Sequence, residues 1–239
     1  MLTNNKIKLI NSLKLKKNRD AHGLFLCEGE KVVKEFLNSK FEIEDVFSTD
    51  LNVFPEAIKV SSKELSRISH LKTPGNVLGL LRIPQYKFDI SQLSDKITIA
   101  LDNLKDPGNL GTIIRIADWF GIENIICSAE CVDVYNPKVV QSTMGSLTRV
   151  NTYNVNLQEI IRQTTVKSYG AVLEGDNIYN ASKINEGVIV FGNESNGIGE
   201  EVMSLLDNKI TIPRIGGAES LNAAVSAGII CSELFRKTI

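Results

Sequence analysis

Three short segments rich in glycine and asparagine, each directly after an apolar run of strand length, constrain this chain more than anything else in it. They are DPGNLGTIIR (Asp106 to Arg115), FGNESNGIG (Phe191 to Gly199) and IPRIGGAESLNAAVSAGI (Ile212 to Ile229). The runs before them are ITIALDNL from Ile97, GVIVFG from Gly187 and KITIP from Lys209, and each segment opens into a helix-like stretch. From Lys96 onward such patterns alternate, with NIICSAE, RVNTYNV and YGAVLEG as further strands and NPKVVQSTMGSL, LQEIIRQTT and GEEVMSLLD as helices. That alternation predicts an α/β fold of parallel βαβ units with helices on both faces of the sheet. Ligands of such sheets bind outside the carboxyl ends of the strands. Three exits rich in Gly, Asn and Ser therefore point to one site that backbone atoms can approach closely.

The preceding residues read differently. Ile7, Ile10, Leu13 and Leu15 are spaced as one face of an amphipathic first helix. GLFLCEG, IEDVFST, AIKVSS and GNVLGLLRIP read as short strands, and EKVVKEFLNS and KELSRISHL as helices, which together make a small mixed domain. The polar stretch Gln85 to Asp95 is the linker candidate, so the expected domains are 1–90 and 95–239.

The chain's 239 residues give ample length for a buried core. Apolar content of 43% and charged content of 23% exclude wholesale disorder. No apolar run approaches the ~20 residues of a membrane helix, and the N-terminus lacks the apolar core and cleavage site of a secretory signal. Cys27, Cys127, Cys131 and Cys231 are scattered without a CxxC pair, as expected of reduced thiols in a cytoplasmic protein with no metal centre. Charge is uneven: residues 1–94 carry 15 basic and 11 acidic groups, against 12 and 17 in the rest. Residues 1–19 hold six cations and no acid. On charge alone this is a solvated helix face or an arm that contacts phosphates.

Familiar nucleotide sites are excluded. No GxGxxG follows the first strand and no GxxxxGK[ST] occurs, which disfavours a nucleotide-dependent oxidoreductase or an NTPase. GxSxG is missing too, and the two histidines lie far from any candidate serine, so a hydrolase triad is not expected. What remains is a site of backbone groups and amides with Arg115, Glu194, Ser220 and Asn222, which suits a ligand of little anionic charge.

The order PGNLGTIIR, FGNESNGIG, IPRIGGAESLNAAVSAGI resembles the three signature motifs of the SpoU (TrmH) family of RNA ribose 2′-O-methyltransferases, of the SPOUT class. The stretch LKLKKNRDAHGLFLCEGEKVVKEFL resembles that family's ribosomal-protein-like substrate-binding domain, so the likeness covers essentially the whole chain. STMGSL also resembles a family segment, with Thr143 where serine is usual; Arg214 stands where many relatives carry a small or apolar residue.

The resemblance implies a C-terminal parallel-sheet domain with a deep trefoil knot, a homodimer through the knot region and final helix, and S-adenosylmethionine as methyl donor. Leu173, Gly175, Gly192, Ile212, Pro213 and Leu221 would bind that donor. Arg115 would grip the target phosphate and lower the hydroxyl's pKa, with proton acceptance by a desolvated Arg115 as the alternative. Asn109, at or near the N-cap of the helix bearing Arg115, would shape the loop. Glu194 would order the loop, pairing with Arg115, and Ser220 and Asn222 would orient the hydroxyl or the loops, with Ser220 also a helix cap. With RNA as partner, Lys14, Lys16, Lys17 and Arg19 become phosphate contacts. Ribosomal RNA is the first expectation, transfer RNA the second, and a non-catalytic RNA-binding or assembly protein the rival.

Overall fold

The computed structural model describes residues 2–181 and 184–236, which divide into two compact units. The first comprises Met1–Gln85 together with Asp133–Thr148; the second comprises Tyr86–Val132 and Arg149–Ile239.

In the first unit, α1 (Asn4–Ser12) and α2 (Lys16–His22) precede β1 (Leu24–Glu28), α3 (Glu30–Leu37), β2 (Ile43–Ser48), β3 (Ile58–Lys59), α4 (Ser62–Ile68) and β4 (Val77–Arg82). The strands form one mixed sheet in the order β1-β4-β2-β3, with β1 and β2 antiparallel to β4 and β3 parallel to β2. Thr3 caps α1 by accepting from the Lys6 N–H, and Ser61 and Glu64 form a reciprocal capping box on α4. Gly23, at φ +63°, supplies the left-handed residue that ends α2. Ile7, Ile10 and Leu13 pack into a core with Leu26, Phe47 and Leu78. Leu15 does not share that face as its spacing predicts. The chain breaks between α1 and α2, and Leu15 sits in the break, 55% exposed.

The second unit continues with β5 (Ile97–Leu101), α5 (Pro107–Trp119) and β6 (Asn124–Ser128). After α6 (Pro137–Thr143), which belongs to the first unit, come β7 (Asn151–Val155), α7 (Leu157–Gln163), β8 (Ser168–Asn177), β9 (Gly187–Phe191), α8 (Glu200–Met203), β10 (Asn208–Thr211) and α9 (Ala223–Arg236). All six strands are parallel, in the order β10-β8-β9-β5-β6-β7. Every residue of β5, β6 and β9 is buried, which is why these runs are mostly apolar, broken only by Thr98, Asn124 and Ser128, rather than alternating. Ala100, Ile126, Val188 and Val190 face a core with α7 and Val202 of α8. The alternate set, including Ile99, Ile125 and Ile189, is just as buried on the other face, where α5 packs with α9. Each such side chain contributes roughly 1.5–3 kcal/mol relative to an exposed one. The polar stretch 85–95 contains a short 3-10 helix, Ile90–Leu93, that Asp89 caps.

The strand order decides where a ligand can bind. From β5 the chain proceeds to β6 and β7 on one side; from β9 it proceeds to β10 on the other. The crevice beyond the adjacent ends of β5 and β9 is the switch point at which open α/β sheets hold ligands. No helix among the described residues is long and apolar enough to cross a membrane.

Candidate active site at the strand exits

The exit of β5 is built around a turn that only a few residue types tolerate. Asn103 adopts φ +56°, a left-handed conformation in which asparagine is several-fold enriched. Its N–H donates to the Ser128 hydroxyl at 3.0 Å, and its carbonyl accepts from the Asn193 amide at 2.8 Å. Beside it, the buried Asp102 carboxylate accepts from the Gly199 N–H at 2.7 Å, and the Leu104 N–H donates to Cys131 Sγ at 3.3 Å. Contacts from the ends of β6 and β9 thus fix the take-off of α5.

Asp106, not Asn109, is the N-cap of α5: its side chain accepts from the Asn109 N–H at 2.7 Å, and Pro107 takes the first helical position. Asn109 lies in the first turn, 8% exposed, where its carboxamide is free to reach across the site. Its Nδ2 donates to Glu194 Oε1 at 3.0 Å, and its Oδ1 accepts from Asn222 Nδ2 at 2.9 Å. Asn222 Oδ1 in turn accepts from the N–H groups of Ala224 and Val225, so Asn222, rather than Ser220, caps α9. One chain of hydrogen bonds therefore joins all three Gly/Asn-rich segments. Its polarity is fixed at one end by a carboxylate and at the other by a helix N-terminus.

Glu194 does not pair with Arg115. Its oxygens accept from the backbone N–H groups of Lys105 and Asp106 and from the amides of Asn109 and Asn193, at 3.0–3.4 Å. Partial burial works against its charge, but the Asn109 amide and the surrounding N–H groups outweigh that and hold the carboxyl below its ordinary pKa. A carboxylate so engaged is a clamp and a poor general base. Arg115, six residues after Asn109 and hence on a different face of α5, is exposed, with no hydrogen bond or ion pair among the described residues.

The expected donor-binding residues gather at the neighbouring exits. β8 and β10 pair in two stretches that are out of register by several residues. The intervening part of β8 leaves Leu173 68% exposed, and the Thr211 hydroxyl donates to the Leu173 carbonyl at 3.0 Å. Gly175 lies so close to β10 that a Cβ there would sit 2.8 Å from the Lys209 carbonyl. A Cβ on Gly192 would lie inside the backbone of Gly197 and Ile198, so the β9 exit admits no other residue. Ile212 is half-buried, whereas Pro213, Ser220 and Leu221 are exposed on the segment between β10 and α9. Exposed apolar side chains beside close-approached backbone suit an uncharged ring and an amino-acid tail, so these residues fit S-adenosylmethionine. Among the described residues no cluster of three or more His, Cys, Asp or Glu could hold a metal ion.

Of the cationic arm, Lys14, Lys16 and Lys17 are exposed, with Lys16 paired to Asp20 at 2.8 Å. Arg19 is a correction: it is 2% exposed, and its guanidinium is bound to Asp133 and to the carbonyls of Leu13 and Lys14. It closes the C-terminal end of α1 and cannot contact phosphate without breaking a buried ion pair. Sequence reasoning missed Asp102, Asn103, Asp106, Ser128 and Asn193. For Asp106 the signal was present, because Asp directly before Pro is a helix-start signature.

A model of the SpoU rRNA Methylase family matches residues 96–232, and a model of the MRM3-like substrate binding domain matches residues 4–79. The chain is 28% identical over 242 residues to the 23S rRNA (guanosine(2553)-2′-O)-methyltransferase RlmP of Bacillus subtilis, covering 97% of this chain and 96% of that one. Among solved structures, a TrmH-family protein from Porphyromonas gingivalis superposes with a TM-score of 0.89 at 33% identity, covering 99% of both chains. An AdoMet-bound rRNA methyltransferase from Sinorhizobium meliloti superposes with a TM-score of 0.88 at 29% identity, covering 100% of this chain and 97% of that one.

Proposed function

The chain belongs to the SpoU rRNA methylase family, and we propose from that premise that it transfers a methyl group from S-adenosylmethionine to a ribose 2′-hydroxyl of ribosomal RNA. The observation that carries this reading is the hydrogen-bond chain Glu194–Asn109–Asn222, which brings three distant motifs to one switch point. Leu173, Gly175, Gly192, Ile212, Pro213 and Leu221 hold the donor, mostly through backbone. Bound there, the donor supplies an electrophilic sulfonium methyl.

The chain's own residues supply position and charge. Arg115, exposed and unpaired among the described residues, binds the phosphate beside the target ribose and favours the anionic form of its 2′-hydroxyl. The hydroxyl's proton leaves to water as the oxygen–carbon bond forms and the methyl's bond to sulfur breaks, its electron pair leaving with the sulfur. Asn109 and Asn222 set the spacing between α5 and α9, Ser220 orients the hydroxyl, and Glu194 fixes the loop; alignment of hydroxyl and methyl contributes much of the acceleration.

Residues 1–90 recruit the RNA through Lys14, Lys16 and Lys17, and residues 95–239 carry out transfer. A homodimer through the knot region and α9 is part of the proposal, supported by Trp119, 85% exposed on α5, and Val225, 50% exposed on α9. The trefoil knot rests on family membership, and a cytoplasmic setting fits the four free thiols.

The test is transfer of radiolabelled methyl to separately purified, unmodified ribosomal and transfer RNA. Label in ribosomal RNA, resistant to alkaline cleavage at the modified ribose, supports the reading; label in transfer RNA alone changes the substrate. No label in either pool, with donor binding intact, favours an assembled particle or a non-catalytic role. Arg115→Ala should abolish transfer while leaving donor affinity nearly unchanged, and comparable turnover by that variant would remove Arg115 from the chemistry.

A further inference from the structure

The segment between β10 and α9 is anchored at its two ends. Thr211 ties its start to the Leu173 carbonyl, and Asn222 ties its finish to Asn109 and to the first turn of α9. Between them, residues 213–221 are all exposed, and Ile215 is fully so. Gly216 and Gly217 have open space where a side chain would be. Such a stretch loses about 1–2 kcal/mol of backbone entropy per residue when ordered, and glycine loses the most.

Arg214 is the exception to this slackness. Its Nη1 donates to the carbonyls of Ala218 and Glu219, at 3.2 and 3.4 Å. Among the described residues these are the only hydrogen bonds within 213–221. They close a short ring over the Gly-Gly turn immediately before Ser220 and Leu221. A guanidinium suits this place, since its charge strengthens both bonds and its Nη1 carries two hydrogens for the two carbonyls.

We infer that Arg214 is a positioning residue: by bracing the Gly-Gly turn it presets the 212–222 segment for the methyl donor. This deepens the methyl-transfer reading and rests on it. Without the brace, the donor-competent arrangement is one of many, and apparent affinity falls by the fraction of time the segment spends in it. The alternative for an exposed arginine here is a direct phosphate contact, and the two roles separate experimentally.

Arg214→Met keeps the side chain's length and removes its donors; Arg214→Lys restores one cationic donor. In the free protein, backbone nitrogen-15 relaxation of residues 215–221 should show greater fast mobility in Arg214→Met and partial recovery in Arg214→Lys. S-adenosylmethionine should bind Arg214→Met about three- to tenfold more weakly, the range expected for exposed charge-assisted bonds. The loss should fall on the donor KM more than on turnover at saturating donor, and the salt dependence of RNA binding should match wild type. Unchanged mobility of residues 215–221, or unchanged donor affinity beside a wild type that binds the donor, overturns the inference alone. Intact donor affinity with the RNA salt slope reduced by about one assigns Arg214 to phosphate instead. A wild type that binds no donor overturns the methyl-transfer reading and this inference together.

Discussion

Glu194→Gln separates two roles by size of effect. The glutamine keeps the shape and can keep an oxygen at the Oε1 position, which accepts from the Asp106 N–H at 3.1 Å and the Asn109 amide at 3.0 Å. The other oxygen becomes an NH₂ facing Lys105 N and the Asn193 amide, whose approaches at 3.4 Å were weak already. The loss is therefore chiefly the charge assistance on two good bonds, about 1 kcal/mol each. Glu194 is exposed, so solvent screening trims this to about 1.4 kcal/mol, roughly a tenfold change. Single-turnover methyl transfer at saturating donor should slow by no more than about that factor, and the melting temperature should fall by about 3–6 °C. A general base would lose about a hundredfold or more. A loss of that size would refute the clamp and return Glu194 to proton transfer; no loss would refute any role for the hydrogen-bond chain.

Three further outcomes follow from the same geometry. Gly192→Ala should cost at least about 3 kcal/mol through backbone overlap, abolishing donor binding in a calorimetric titration while far-ultraviolet dichroism keeps the sheet; near-normal binding would contradict the packing described at β9. Reversing charge at Lys16 and Lys17 should weaken RNA binding and flatten its salt slope, and an unchanged slope would make those lysines a solvated face. Burial, with Lys14 and Arg19 nearby, pushes His70 down to about 4. Because the unfolded chain then binds more protons between about pH 6.5 and 4, stability contributed by neutral His70 is present above that window and lost on acidification. Melting temperature should fall across that window, less steeply in His70→Asn; Glu28, which burial holds up, acts in the opposite direction and is common to both proteins.

Much of the fold was legible because period and punctuation agree. The fully buried runs of β5, β6 and β9 are mostly apolar without alternation, and Pro107 and Gly23 mark a helix start and a helix end. What local pattern does not contain is adjacency. Asn109 meets Glu194 across 85 residues because β5 and β9 are neighbours in the sheet; the shared strand-exit pattern pointed to one site without telling which side chains meet there. Capping failed where several candidates stood in a row. Ser220 and Asn222 are equally plausible by residue type, whereas Asp106 had the following Pro107 in its favour over Asn109. Arg19 failed for a different reason. Within a run of cations its sequence looks no different from Lys16 or Lys17, and its counter-ion is 114 residues away.

That counter-ion lies in Asp133–Thr148, the stretch that leaves the parallel-sheet unit and completes the N-terminal one. Tyr135 stacks near Phe25 at 4.8 Å, and Gly145 lies against Glu35. The polypeptide therefore crosses between its units three times, and no single scission yields two self-sufficient pieces. A C-terminal fragment would carry a displaced helix with bare Val139 and Val140, and an N-terminal fragment would bury an arginine with no acid beside it. Recombination that exchanged the N-terminal unit for another would have to graft two separated segments together, so the two units are inherited as one.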